Sequence, residues 1–245
     1  MKRSSAIAFS VIAVGLMLLV DVAGVVEAGA IEVSRIEMRV DLVFDDSPAK
    51  SSGSGKPRPT SSGYKLLGKG VYWKDTPIDL VIDADGSGLS SSFVASAVWA
   101  GATEWDDHTG TALFGSYTTS TTATWDDTTR DGSNEIVFGD YPTDGVIAVT
   151  VTWGIFGGPL SGREILEFDI LFDTDFTWGD ATATSGVMDL QNIACHEIGH
   201  GVGLADLYDS GDSEQTMYGY ADYGETKKRD LNTGDIAGIQ FLYGS

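Results

Sequence analysis

The chain has 245 residues, 42% of them hydrophobic, and its 36 acidic against 15 basic side chains give a net charge of −21. Such acidity argues against nucleic acid and anionic membranes as partners. With Cys195 as the sole cysteine, no intramolecular disulfide can form, and stability must come from a core and bound metal.

Lys2 and Arg3, an apolar run from Ala6 to Val20 and the small-residue site Ala28-Gly29-Ala30 read as a signal peptide over residues 1–30. The run is shorter than the roughly 20 residues needed to span a bilayer. The expected product is secreted and extracellular, a monomer with no membrane attachment after cleavage. In residues 31–63, Ile36, Met38, Val40, Leu42 and Phe44 alternate with Glu37, Arg39 and Asp41, the pattern of a half-buried strand. Ser47 to Gly63 then collects Ser, Gly, Pro and Lys as a flexible linker. A strand followed by a linker fits a short propeptide and, equally, an N-terminal strand of the mature protein.

Residues 64–245 read as one α+β domain. Pro77 to Ala84 is a short apolar strand. Phe93, Ala97, Val98, Ala102 and Trp105 fall at helical spacing behind serine caps, predicting a long helix over Ser90–Trp105. Strands are expected at Asn134–Phe138, Val146–Trp153 and Ile165–Phe172, between Gly-, Pro- and Asp-rich turns. A second helix is expected from about Asp189, a suitable N-cap, to Val202.

That second helix carries His196-Glu197-Ile198-Gly199-His200, followed by Gly201-Val202-Gly203-Leu204-Ala205-Asp206. Residues four apart lie about 6 Å apart along a helix and on one face, so both imidazoles can reach one metal ion. Glu197 sits on the neighbouring edge, placed to take a proton from a water molecule at the metal. Gly203 lets the chain turn at a left-handed position, and Asp206 can then fold back with an oxygen ligand. Three protein ligands leave one position open, the arrangement of a catalytic zinc site.

This extended motif, with Thr216-Met217-Tyr218 after it, resembles the metzincin clan of zinc endopeptidases, whose active helix is followed by a turn carrying a methionine beneath the metal. Leu166–Phe172, Asp189–His196, the Met217-Tyr218 pair and the closing segment Leu231–Gly244 are similar to matrixin-type catalytic domains. Asp206, where matrixins usually carry a third histidine, resembles the small bacterial metzincins of the snapalysin type. The resemblance implies a twisted mixed sheet packed on a long helix and the active-site helix, and a small C-terminal subdomain ending in a helix. It implies one catalytic zinc on His196, His200 and Asp206, with Glu197 as general base and Met217 as a hydrophobic floor. It also implies a protein or peptide substrate extended along an edge strand, for which Val146–Thr152 is the expected edge.

Tyr218 is expected to wall the substrate pocket, and Tyr220 to share that pocket or stabilise an oxyanion. Matrixin precursors commonly silence the zinc with a propeptide cysteine, which this chain lacks. Asp45 or Asp46 is the carboxylate expected to take that place if residues 31–63 are a propeptide. His108 reads as a solvated cap and Cys195 as a core residue. The oxygen-rich loops at Asp126-Asp127, Asp131–Glu135 and Asp173–Asp175 offer possible calcium sites. Two other functions share the motif: a secreted zinc-binding module without turnover, and a zinc amidase acting on cell-wall peptide.

Overall fold

A computed structural model describes residues 36–45 and 63–245. The signal peptide, Asp46 and nearly all of the expected linker lie outside the described residues. Seven strands form the main sheet: β1 (Glu37–Asp45), β2 (Ile78–Asp83), β3 (Phe114–Ser120), β4 (Glu135–Gly139), β5 (Val146–Ile155), β6 (Glu164–Asp173) and, last in the chain, the two-residue strand at Tyr220–Ala221. The pairs Trp178–Gly179 (β7) and Met188–Asp189 (β8) make a small separate ladder, so the strand at Tyr220–Ala221 is β9. Across the main sheet the order is β3-β2-β4-β6-β5-β1-β9. Strands β3, β2, β4 and β6 run parallel, β5 is antiparallel to β6 and to β1, and β1 is parallel to β9. This is a mixed α/β architecture, a twisted mixed sheet with helices packed on it.

Helix α1 (Ser91–Asp106) starts where Ser90 accepts a hydrogen bond from the Phe93 amide, satisfying one of the orphan donors of the first turn. Helix α2 (Leu190–Gly201) starts the same way, with Asp189 accepting from the Asn192 amide. The two helices lie together, and Trp105 Nε1 of α1 donates to the Cys195 carbonyl of α2 at 2.8 Å. Their apolar faces meet β2, β4 and β6 in one core that includes Val98, Trp105, Ile136, Phe168, Phe172, Ile193 and Ile198. Helix α3 (Thr233–Tyr243) closes the chain, begun by a capping box between Asn232 and Asp235.

Two expectations are corrected. Strand β5 is not an edge: β1 pairs with it antiparallel from Glu37 opposite Gly154 to Phe44 opposite Val146. The even-numbered side of β1 is not its only buried side either. Met38 and Val40 pack with Val151 and Trp153 on one face, while Val43, fully buried, joins the main core from the other. The strand is therefore covered on both faces. Strand β3 escaped the sequence pattern because it is an exposed edge strand in which only Phe114 is buried.

Candidate active site

The site is built on α2 and on the turn that follows it. His196, Glu197 and His200 are fully buried and Asp206 is 5% exposed. Gly203 ends the helix at φ +107°, a backbone region that favours glycine, and this reverses the chain so that Asp206 returns over the helix. His196 Nδ1 lies 2.7 Å from the Thr216 carbonyl and His200 Nδ1 2.9 Å from that of Leu204. A carbonyl only accepts, so each Nδ1 carries the proton and each Nε2 presents a lone pair.

The two Nε2 atoms and a carboxylate oxygen of Asp206 lie within 4.8 Å of one another. Asp206 Oδ1 is 3.3 Å from His196 Nε2 and 3.6 Å from His200 Nε2, yet all three atoms lack a hydrogen-bond partner. Unshared pairs facing one another in a dry interior repel unless a cation lies among them. Zinc bonds of about 2.0–2.1 Å in a tetrahedron separate neighbouring ligand atoms by about 3.3–3.4 Å. The donor set fits that ion in spacing and in chemistry.

Electrostatics at the site also call for positive charge. Burial opposes ionisation of Asp206, but His200 and His196 outweigh it and hold the carboxyl below its usual range. Burial lowers His196 to about 4. For His200 burial acts the same way, yet with no cation among them the carboxylates of Asp206, Asp41 and Glu197 overcome it and lift the imidazole to about 10, a demand for positive charge that a metal ion on the neutral Nε2 would meet in place of a proton. Burial pushes Glu197 up to about 8. Thr150 Oγ1 on β5 donates to Glu197 Oε2 at 2.5 Å, and Oε1 is left without a partner.

Support behind these residues escaped the sequence reading. Tyr208 donates to Asp206 Oδ2 at 3.0 Å. Asp235, buried in the first turn of α3, accepts from the amides of Thr216 at 2.7 Å and Met217 at 3.1 Å and so clamps the methionine turn. The only sequence signal for that clamp was the Asn232-x-x-Asp235 capping pattern. Buried Lys228 donates to the Tyr218 carbonyl at 2.5 Å, with burial lowering it to about 8. Met217 is fully buried against α2, where a Cβ at Gly199 would meet its sulfur and the Trp105 ring.

Tyr218 and Tyr220 stand beyond the methionine with ring centroids 5.6 Å apart, and Tyr220 also borders Phe44 of β1 at 6.4 Å. Cys195 is a buried free thiol in the core. His108 faces Glu104 at 3.2 Å one turn back on α1, apart from the His196 group. Asp126, Asp131 and Glu135 come together, as do Asp140, Asp173 and Asp175.

The expectation that Asp45 faces the metal is corrected. Asp45 lies at the end of β1, where its amide donates to the Gly145 carbonyl and the residue pairs with Ala221. The β1 carboxylate directed at the site is Asp41. It stands opposite Thr150, and directly opposed residues of antiparallel strands share a face. Thr150 uses that face to hold Glu197.

A mixed sheet above two helices, with two imidazoles of one helix and a carboxylate beyond its turn converging, defines the metzincin class. The family described as matrixin matches residues 83–244, and the chain belongs to it. It is similar to metalloendoproteinase 2-MMP of Arabidopsis thaliana, 34% identical over 104 residues, which are 42% of this chain and 26% of that protein. It is also similar to the neutrophil collagenase of Homo sapiens, 41% identical over 76 residues, 31% of this chain and 15% of the collagenase. The chain thus matches less than a third of the length of either relative.

Proposed function

We propose that this protein is a secreted, zinc-dependent endopeptidase in which His196, His200 and Asp206 hold one zinc ion and Glu197 is the general base. The observation that carries this reading is the convergence of three buried donor atoms without partners beside the free Oε1 of Glu197. Zinc bound there would polarise a peptide carbonyl and bring the pKa of water from 15.7 towards about 7. Three protein ligands fit a catalytic rather than a structural ion.

The rest follows from the chain's own groups. The Nδ1 hydrogen bonds to Thr216 and Leu204 fix the imidazole tautomers and ring directions. Thr150 fixes one oxygen of Glu197, so the other is free to take a proton from the attacking water and pass it to the leaving amine. The burial that raises Glu197 suits a group that must hold and release a proton. Only where β1 is displaced from β5 could a peptide pair there as an extended strand, held by its backbone with Tyr218 and Tyr220 beside it. The name of neutrophil collagenase points to a protein substrate for that relative, and we extend the substrate class, proteins or peptides, to this chain. The signal peptide at 1–30 and a propeptide within 31–63 complete this reading of an exported enzyme. The two acidic groups are candidate calcium sites that would steady the loops before β4 and after β6.

Zinc content and casein cleavage, measured on the purified protein beside Glu197→Ala, test the assignment. One zinc per chain in both proteins, with cleavage lost in the variant, is expected. Cleavage that survives either a chelator or the Glu197→Ala change would sink it.

A further inference from the structure

The short 3-10 turn Lys227–Arg229 carries consecutive cations that end in different surroundings. Arg229 is bound to the carboxylates of Asp180 and Asp189, and Lys227, partly exposed, stands 3.5 Å from Glu225 and 3.6 Å from Glu214. Lys228 between them is fully buried. A carboxylate oxygen of Glu225 is 4.0 Å from its ammonium, whose hydrogen bonds go instead to main-chain carbonyls, that of Tyr218 at 2.5 Å and that of Thr216 at 3.4 Å. These two carbonyls flank Met217, and the Thr216 oxygen is also the one to which His196 Nδ1 donates at 2.7 Å. We propose that Lys228 is a positioning residue for the metal site: its ammonium clasps the carbonyls on either side of Met217 and, through the shared Thr216 oxygen, fixes the direction of the His196 ring. The inference deepens the proposed zinc site and rests on it.

Further contacts close the arrangement into a ring. The Lys228 amide donates to Asn192 Oδ1 at 2.7 Å, and Asn192 stands on α2 four residues before His196, on the same face. Asn192 Nδ2 donates to Glu225 Oε1 at 3.4 Å, which keeps that carboxylate beside the ammonium. The path from His196 through Thr216 and Lys228 to Asn192 thus leaves α2 and returns to it. The Tyr218 carbonyl shares a peptide unit with the Gly219 amide, which donates to the Leu207 carbonyl at 2.9 Å. Both ends of that unit are held, and the Tyr218 ring lies with its centroid 5.5 Å from the ammonium. One cation therefore fastens the metal ligand and the expected pocket wall together.

Filling space does not account for a lysine here. Removing an ammonium from water is costly, and a methionine of similar length would occupy the position without that cost. What methionine lacks is the donors and the charge. A carbonyl shared with a cation is a weaker acceptor for the His196 Nδ1 proton, so Lys228 also limits the electron density that the imidazole passes to a metal.

The test uses the full chain loaded with cobalt(II) in place of zinc, as wild type, Lys228→Met and Lys228→Gln. The first variant keeps the length of the side chain without donors or charge, and the second keeps a donor. In Lys228→Met the visible cobalt spectrum and the proton resonance of His196 Nδ1–H are expected to shift, and peptide cleavage to fall about tenfold or more. Lys228→Gln should lie between that variant and the wild type in all three readings, and it decides the matter if Lys228→Met does not fold. A folded variant that loses cleavage but keeps the wild-type spectrum and resonance overturns the inference, because a lysine with a merely structural role would behave so. One bound cobalt with the same spectrum in all three proteins overturns this inference alone. If the wild type binds neither cobalt nor zinc, the metal site itself is wrong and both readings fall.

Discussion

The two walls of the site are held by different means. On the α2 side every metal-facing group has a second anchor: Nδ1–H bonds from both histidines, the Tyr208 hydroxyl on Asp206, and Thr150 on Glu197. The turn beneath is clamped again by Asp235. On the β1 side the contacts are backbone pairs to β5 and β9 together with the packing of Met38 and Val43, and the carboxylate turned inward has one oxygen with no partner. Side-chain anchors specify one geometry, whereas backbone pairing accepts any extended chain. The first wall is fixed by side-chain anchors, the second by backbone pairing and core packing.

The largest expected effect comes from the first wall. Glu197→Gln should retain zinc and lose at least about a hundredfold in kcat/KM, the scale of a positioned general base. Activity within a few-fold of the parent would contradict the role. Next in size is Tyr208→Phe. Removing the hydroxyl that orients Asp206 should weaken zinc binding by about 10–100-fold, as for other groups that orient a metal ligand. Competition against a chromogenic chelator reads this directly, and an unchanged affinity would mean that the backbone alone places Asp206. Asp235→Ala should cost about 1–3 kcal/mol in urea unfolding, because the buried amides of Thr216 and Met217 lose their acceptor. A loss under half a kcal/mol would show that the turn is held by its pairing with Leu207 instead.

These walls also differed in how far they could be read from residues. His196, Glu197, His200, Gly203 and Asp206 lie within eleven positions, so helix geometry and one turn bring them together without knowledge of the rest. The helix starts at Ser90 and Asp189 were legible for the same reason, since a cap acts three residues away. Asp41, Thr150 and Tyr208 were not. Thr150 is a polar residue in a strand buried along nearly its whole length, and only the register of β5 over α2 gives its hydroxyl a carboxylate to bind. In β1 the even-numbered alternation was visible, but its pairing partner was not. The odd-numbered face, with Asp41 and Val43, therefore read as the solvent side when it is the side facing the metal cluster. Supposing β5 to be an edge had the same origin, because a strand's neighbours are set by long-range pairing that its own residues do not encode.

The last test probes the second wall through pH. Asp169 on β6 lies opposite Val151 of β5, which in turn lies opposite Val40 of β1, so the three share the face where Met38, Val40 and Val151 pack. Burial raises Asp169 from 3.8 to about 8, with Glu167 and Glu135 adding to the rise and the Glu135 amide opposing it. A carboxyl whose pKa is higher folded than unfolded binds its proton in the fold over a range where the unfolded chain has already lost it. Its contribution is complete below about 4 and is lost as pH rises towards about 8. In a chelating buffer, which removes any cation from the adjacent Asp126, Asp131 and Glu135 group, wild-type stability should fall from pH 5 to pH 8 relative to Asp169→Asn. Glu197, also raised to about 8, contributes to both proteins and cancels in the difference. Parallel pH profiles for the two proteins would mean that Asp169 is charged in the fold and that the face beneath β1 is already open to water or ions.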